Sequence, residues 1–154
     1  MNNGYSNLRK ELQNGKPVIT FTTGTSMEPL LHDKAKKNAT HVLVVPVEDH
    51  LNVGDMPLVQ LTEEKYMIHR IIRIEEKDGQ RIYITRGDNC IGCERILPHQ
   101  ILGVVTEIYE KEKTIRVTDR GYLRYVKRRM NTFPIRKGWA MLRGFASKIK
   151  RKFL

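Results

Sequence analysis

A serine, a histidine and a carboxylate can perform acyl transfer when a fold brings them together, and this 154-residue chain offers all three. The serine lies in Gly24-Thr25-Ser26-Met27-Glu28-Pro29. A serine hydroxyl is a poor nucleophile at neutral pH; it needs a base within hydrogen-bond reach and donors for the oxyanion. Gly24 permits close backbone approach, and Glu28, preceding Pro29, is biased toward extended geometry. These residues suit a serine on a sharp turn with its amide facing a cleft. They equally suit an ordinary turn or short helix that Ser26 caps, with Pro29 just inside it.

The base must come from elsewhere. His69 stands within Tyr66-Met67-Ile68-His69-Arg70-Ile71-Ile72, where an imidazole amid apolar neighbours is costly unless partnered. In a strand, Met67, His69 and Ile71 point one way and Ile68, Arg70 and Ile72 the other. His32, His41, His50 and His99 also exist, and spacing alone does not choose among them. A third group would orient the imidazole and stabilise its cation. Arg86-Gly87-Asp88-Asn89, with Glu94 beyond it, supplies carboxylates after a strand-like run, although Gly-Asp-Asn also favours an ordinary Asx turn.

The elements that must position these groups are strands. Residues 18–22, 41–47, 57–61, 66–74, 81–85, 101–109 and 114–118 are short, rich in Val, Ile, Tyr and Thr, and separated by turn-like segments. Such a series predicts a coiled antiparallel sheet or small barrel. Residues 6–14 predict a short helix with Leu8 and Leu12 on one face. After Asp119 the period changes to helical: Tyr122, Leu123, Val126, Met130 and Phe133 recur on one face until Pro134 breaks the pattern. Trp139, Leu142, Phe145, Ala146, Ile149 and Phe153 then share an arc from which the basic residues are mostly absent. The expected plan is an N-terminal helix over 1–16, a β domain over 17–118 and a basic amphipathic helical tail over 119–154.

In combination and order, Gly-x-Ser26-Met27-Glu28-Pro29, Gly54-Asp55, His69-Arg70-Ile71 and Gly87-Asp88-Asn89 resemble the signal peptidase I superfamily, whose fold is shared with LexA-type self-cleaving repressors. The resemblance covers roughly residues 17–118, and Ile101-Leu102-Gly103-Val104-Val105 looks like the strand that closes the family's core. It implies a serine endopeptidase with a mainly β, coiled fold. Ser26 matches the nucleophile. His69 stands where many members carry a lysine base, and it looks like the endoplasmic-reticulum and spore-former branch, which uses histidine there. Glu94 falls where that branch has an assisting acid, usually Asp, and Asp88 matches the family's other, mainly structural acid. The Ser26 amide would be one oxyanion donor. The serine hydroxyl that many members place two residues before the nucleophile is replaced by Gly24, with Thr25 beside it. Met27 and Pro29 complete the substrate-facing turn.

Two departures shape the expected substrate. No membrane-spanning anchor is seen before Ser26, and the 25 residues preceding it leave no room for a repressor's DNA-binding domain and self-cleavage segment. The expectation is therefore cleavage in trans of an extended peptide or protein, such as the leader of a ribosomally made peptide, with small side chains near the scissile bond. A non-catalytic peptide-binding module and a DNA-linked regulator of the same fold are the alternatives.

Charge separates the tail from the rest. The net charge is +11, yet residues 1–119 hold 16 basic and 17 acidic groups, whereas 120–154 hold 12 Lys and Arg and no acid. Such asymmetry points to an anionic partner. A basic helix carrying Trp and Phe suits an anionic bilayer surface. Nucleic acid is the rival, with no motif to support it, and packing of Trp139, Leu142, Phe145 and Ile149 on the β body is the third reading. The N-terminus has no secretory h-region and no run approaches the roughly 18 apolar residues of a membrane span. A cytoplasmic protein, peripheral on the inner membrane face, is expected. Cys90 and Cys93 form no disulfide framework; without a second pair they read as small loop residues, and no cofactor or metal is expected.

Overall fold

In the computed structural model the chain is described over residues 3–63 and 65–152, and its side chains over 7–63 and 65–142. The architecture is mainly β: a curled antiparallel sheet, a smaller second sheet and three helices among the described residues.

The larger sheet contains β1 (Val18–Phe21), β2 (Thr40–Val45), β3 (Pro57–Gln60), β4 (Tyr66–Ile68), β8 (Ile101–Glu110) and β9 (Lys113–Arg116). Its order is β1-β2-β8-β3-β4, with β9 paired to β8. The smaller sheet is β5 (Arg70–Lys77), β6 (Gln80–Arg86) and β7 (Glu94–Ile96). Alternation buries Val42 and Val44 of β2; a register shift against β8 then sets Ile108 and Val105, three residues apart, opposite them, and all four are buried with Leu58. From helix α1 (Asn3–Gln13), Leu8 and Leu12 close the same core. A second cluster of Leu51, Val59, Ile71, Tyr83 and Ile96 joins the two sheets.

The expected single strand over 66–74 is divided. β4 pairs with β3 in one sheet and β5 with β6 in the other, so the chain changes sheets at His69. Alternation survives the break: Ile68 packs on the first core, and Met67 and Ile71 on the second. β7 lies in the stretch beyond Gly-Asp-Asn, which contains no Val-rich run to announce a strand. Its pairing with β6 is what sets Glu94 opposite Thr85.

Two helices follow, α2 (Arg120–Asn131) and α3 (Phe133–Lys152). Tyr122 and Val126 are buried in the first core, so α2 is packed on the β body. Leu123, expected on the same face, is 54% exposed. Pro134 is the second residue of α3, where its missing N–H costs no helical hydrogen bond. Trp139 and Leu142 are exposed rather than packed on the body. The remainder of the expected apolar arc, Phe145 to Phe153, lies outside the described side chains.

Candidate active site

The turn carrying Ser26 is closed by hydrogen bonds from Glu28 N–H to the Thr25 carbonyl and from Leu30 N–H to the Met27 carbonyl. It does not become the short helix that Ser26 would cap. Gly24 has φ 81°, the left-handed region open to glycine, and its N–H donates to the Asp33 carboxylate. That amide is therefore engaged. The Ser26 N–H and its hydroxyl make no hydrogen bond among the described residues. Ser26 is half-buried, Met27 is buried in the first core, and Thr25 and Pro29 are exposed.

Ser26 stands on a cleft of about 120 Å³. The larger sheet curls until its two outer strands face this space: Thr20 and Phe21 of β1 line one side, Tyr66, Met67 and Ile68 of β4 the other, with Leu8 and Leu58 below. Outer strands carry backbone N–H and C=O groups not committed to a neighbour, the form to which an extended peptide can add.

His69 follows β4 directly and is 7% exposed. Its Nδ1 lies 3.0 Å from Glu94 Oε2, and the Thr85 hydroxyl donates to that same oxygen at 3.3 Å. In the neutral ring a carboxylate partner at Nδ1 requires the N–H there and leaves Nε2 with its lone pair. Gly87 ties this nitrogen to the serine. A methyl group placed on Gly87 would sit 2.6 Å from the Ser26 carbonyl oxygen, 2.9 Å from Cys90 Sγ and 3.1 Å from His69 Nε2. Glycine is needed here for close approach, and the Ser26 backbone, the thiol and the imidazole surround one point.

The rest of the Gly-Asp-Asn loop fastens onto the serine turn. Asn89 N–H donates to the Ser26 carbonyl at 2.7 Å, its side chain to the Thr25 carbonyl at 3.2 Å, and Asp88 N–H approaches Met27 Sδ at 3.4 Å. Asp88 does not reach His69. Its carboxylate receives Arg70 Nε at 2.8 Å and Nη2 at 2.7 Å in a fork-to-fork pair, and Tyr125 OH at 2.9 Å. Arg70, 1% exposed, also donates to the Gly54 carbonyl and Tyr122 OH. Burial alone would favour losing the Arg70 proton, but Asp88 and Tyr122 outweigh it and hold the guanidinium firmly charged. Burial, then the charge of Asp88, pushes the Tyr125 phenol well above its ordinary range. Of the two acids that could support His69, Glu94 is the one in contact.

Several of these residues carry no signal in the sequence reading. Tyr125, Arg129 and Arg136 come from the tail; Arg129 and Arg136 both donate to the Asp88 carbonyl. Tyr122, Tyr125 and Arg129 share a helix face at i, i+3 and i+7, a polar-aromatic stripe that could have marked them. Cys90 and Cys93 are free thiols. Burial, and then the nearby Glu94 charge, raises the Cys90 thiol above its usual range. No group of metal-ligating side chains gathers among the described residues.

No family model and no curated protein matches the chain. Among the described residues no helix is long and apolar enough to cross a membrane.

Proposed function

We propose that this protein is a serine endopeptidase, with Ser26 as nucleophile, His69 as general base and Glu94 as the acid that orients it. The observation that carries the reading is the convergence at Gly87 of the Ser26 backbone and His69 Nε2, while Nδ1 is held by Glu94. His69 Nε2 would take the Ser26 proton as the hydroxyl attacks a peptide carbonyl, and later give it to the leaving amine. Glu94 would stabilise the imidazolium formed between those steps. The open Ser26 N–H would donate to the oxyanion. The substrate would lie extended in the cleft between β1 and β4. The ordered motifs from Gly24 to Asn89 support a fold of the signal peptidase and LexA type, and the open cleft suits an extended peptide or protein bound in trans.

The test compares wild type with Ser26→Ala and His69→Ala on a mixed peptide library read by mass spectrometry. New termini that require both residues are expected, and they would report the specificity. If none appear from folded wild-type protein, the peptidase reading fails.

One observation favours a second reading. The Ser26 hydroxyl makes no hydrogen bond to His69 in this resting geometry. A peptide-binding module that does not cleave would have no need of one, whereas a peptidase would close the gap on binding substrate. Library peptides retained unhydrolysed by the wild-type protein would identify the module.

The tail supports a peripheral role on an anionic bilayer. Ile135, Trp139 and Leu142, at i, i+4 and i+7 of α3, are each more than 60% exposed in a segment without acids. Sedimentation with phosphatidylserine vesicles, but not with phosphatidylcholine vesicles, is expected, and it should weaken with salt. Salt-sensitive binding to duplex DNA with no binding to either vesicle would favour the nucleic-acid rival.

A further inference from the structure

The tail makes two kinds of contact with the body. Tyr122 and Val126 dock α2 by burying apolar surface in the first core. The arginines donate to backbone carbonyls in the Ser26 turn and in the Gly-Asp-Asn loop. Arg129 Nε donates to the Asp88 carbonyl at 3.1 Å and its Nη2 to the Glu28 carbonyl at 3.3 Å. Glu28 belongs to the Ser26 turn, and Asp88 to the loop that leads to Glu94. A single guanidinium thus spans the Ser26 turn and the loop that leads to Glu94, the acid that holds His69.

Arg136 adds a second donor. Its Nη1 bonds the same Asp88 carbonyl at 2.8 Å and its Nη2 the Arg129 carbonyl at 2.9 Å. Its Nε is buried without a partner, and its guanidinium is crowded by Arg129 and Arg86. The Phe133 ring has the Arg86 guanidinium 3.2 Å from its centroid and that of Arg136 at 5.8 Å. Two like charges on one aromatic ring, with Arg129 close to one of them, are a poor way to fasten a helix if fastening were all that was required. Arg129 and Arg136 share one target, the Asp88 carbonyl, one residue before the Asn89 amide that grips Ser26.

We propose that Arg129 and Arg136 are positioning residues of the candidate active site, holding the Ser26 turn and the Gly-Asp-Asn loop in register from the helical tail. The inference rests on the serine-peptidase reading and deepens it: the tail is then part of the catalytic unit rather than only an anchor. Positioning of this kind has large kinetic leverage, because a displacement of about 1 Å at reacting atoms can cost about a hundredfold in rate.

The experiment uses the full chain with Arg129→Ala, Arg129→Lys and Arg136→Ala, read in two ways. Amide hydrogen exchange at Asn89, with Val105 and Ile108 as core references, reports the grip on Ser26 without requiring activity. Labelling of Ser26 by a fluorophosphonate reports its reactivity. Arg129→Ala is expected to speed exchange at Asn89 at least tenfold while the core references stay protected, and to slow labelling by tenfold or more. Arg129→Lys, which can reach only one carbonyl at a time, should fall between. Arg136→Ala should act in the same direction and covers the case in which Arg129→Ala does not fold. Unchanged exchange at Asn89, or exchange that rises equally at Asn89 and the core, overturns the proposal. If wild type leaves Ser26 unlabelled while Asn89 still responds to the arginine variants, the peptidase reading fails and the coupling between tail and loop stands.

Discussion

His69 and Arg70 are adjacent in the chain, and each holds a carboxylate from the segment after β6, yet the two pairs are unlike. Arg70 and Asp88 have side chains 1% and 4% exposed, and every donor or acceptor that matters is matched by Gly54, Tyr122 or Tyr125. Such a pair cannot separate without leaving a buried charge. His69 is buried too, but Glu94 keeps 36% of its side chain exposed, and Nε2 lies beside Gly87, as the Ser26 carbonyl does. The comparison separates a pair that fixes geometry from one with a nitrogen free to act. It also explains why two acids only six residues apart take different work: β7 pairing carries Glu94 back toward His69, whereas Asp88 remains under α2.

The comparison can be broken most severely at its buried half. Arg70→Met alone should destabilise the fold by about 3–5 kcal/mol in urea unfolding, because it strands the Asp88 charge. Arg70→Met with Asp88→Leu should recover much of that loss; if the double variant is no better than the single, the ion pair is not the cause. Glu94→Gln should do the reverse. Unfolding should change by less than about 1 kcal/mol, as expected where one partner of the pair stays open to solvent, while Ser26-dependent cleavage should fall by about 10²–10⁴-fold through loss of orientation and imidazolium stabilisation. A stability loss as large as that of Arg70→Met would erase the distinction between the two pairs.

Gly87→Ala lies between the halves. Its added methyl meets backbone at 2.6 Å, which a rotamer change cannot relieve. A loss of about 1–3 kcal/mol is expected, together with slower fluorophosphonate labelling of Ser26. Wild-type stability and labelling would mean that the turn and the loop are not as close as described. The smallest effect concerns the thiols. Because burial and Glu94 raise the Cys90 thiol, less thiolate is present at neutral pH, so iodoacetamide should modify exposed Cys93 before Cys90. Glu94→Gln removes one of the two causes and should narrow the difference. Faster alkylation of Cys90 would contradict the packing around it.

What the residues determined on their own was local. Val, Ile and Tyr at alternate positions set most strands and the faces they bury, because period-2 alternation is a property of the extended backbone. Leu8 with Leu12, and Tyr122 with Val126, are core contacts legible from helical spacing. Ser26, His69 and Glu94 could be nominated from residue chemistry and from the order of the motifs. Three decisions belonged to tertiary structure. The switch of sheets at His69 depends on β4 and β5 finding different partners, which no local propensity encodes. The choice of Glu94 over Asp88 depends on the pairing of β7, a strand of three residues with weak intrinsic preference. The meeting of Arg129 and Arg136 with the Asp88 carbonyl joins residues 41 and 48 apart in sequence. Their positive charge was plain from composition. Its target was a backbone carbonyl, a group every residue carries, and only the folded chain could single one out.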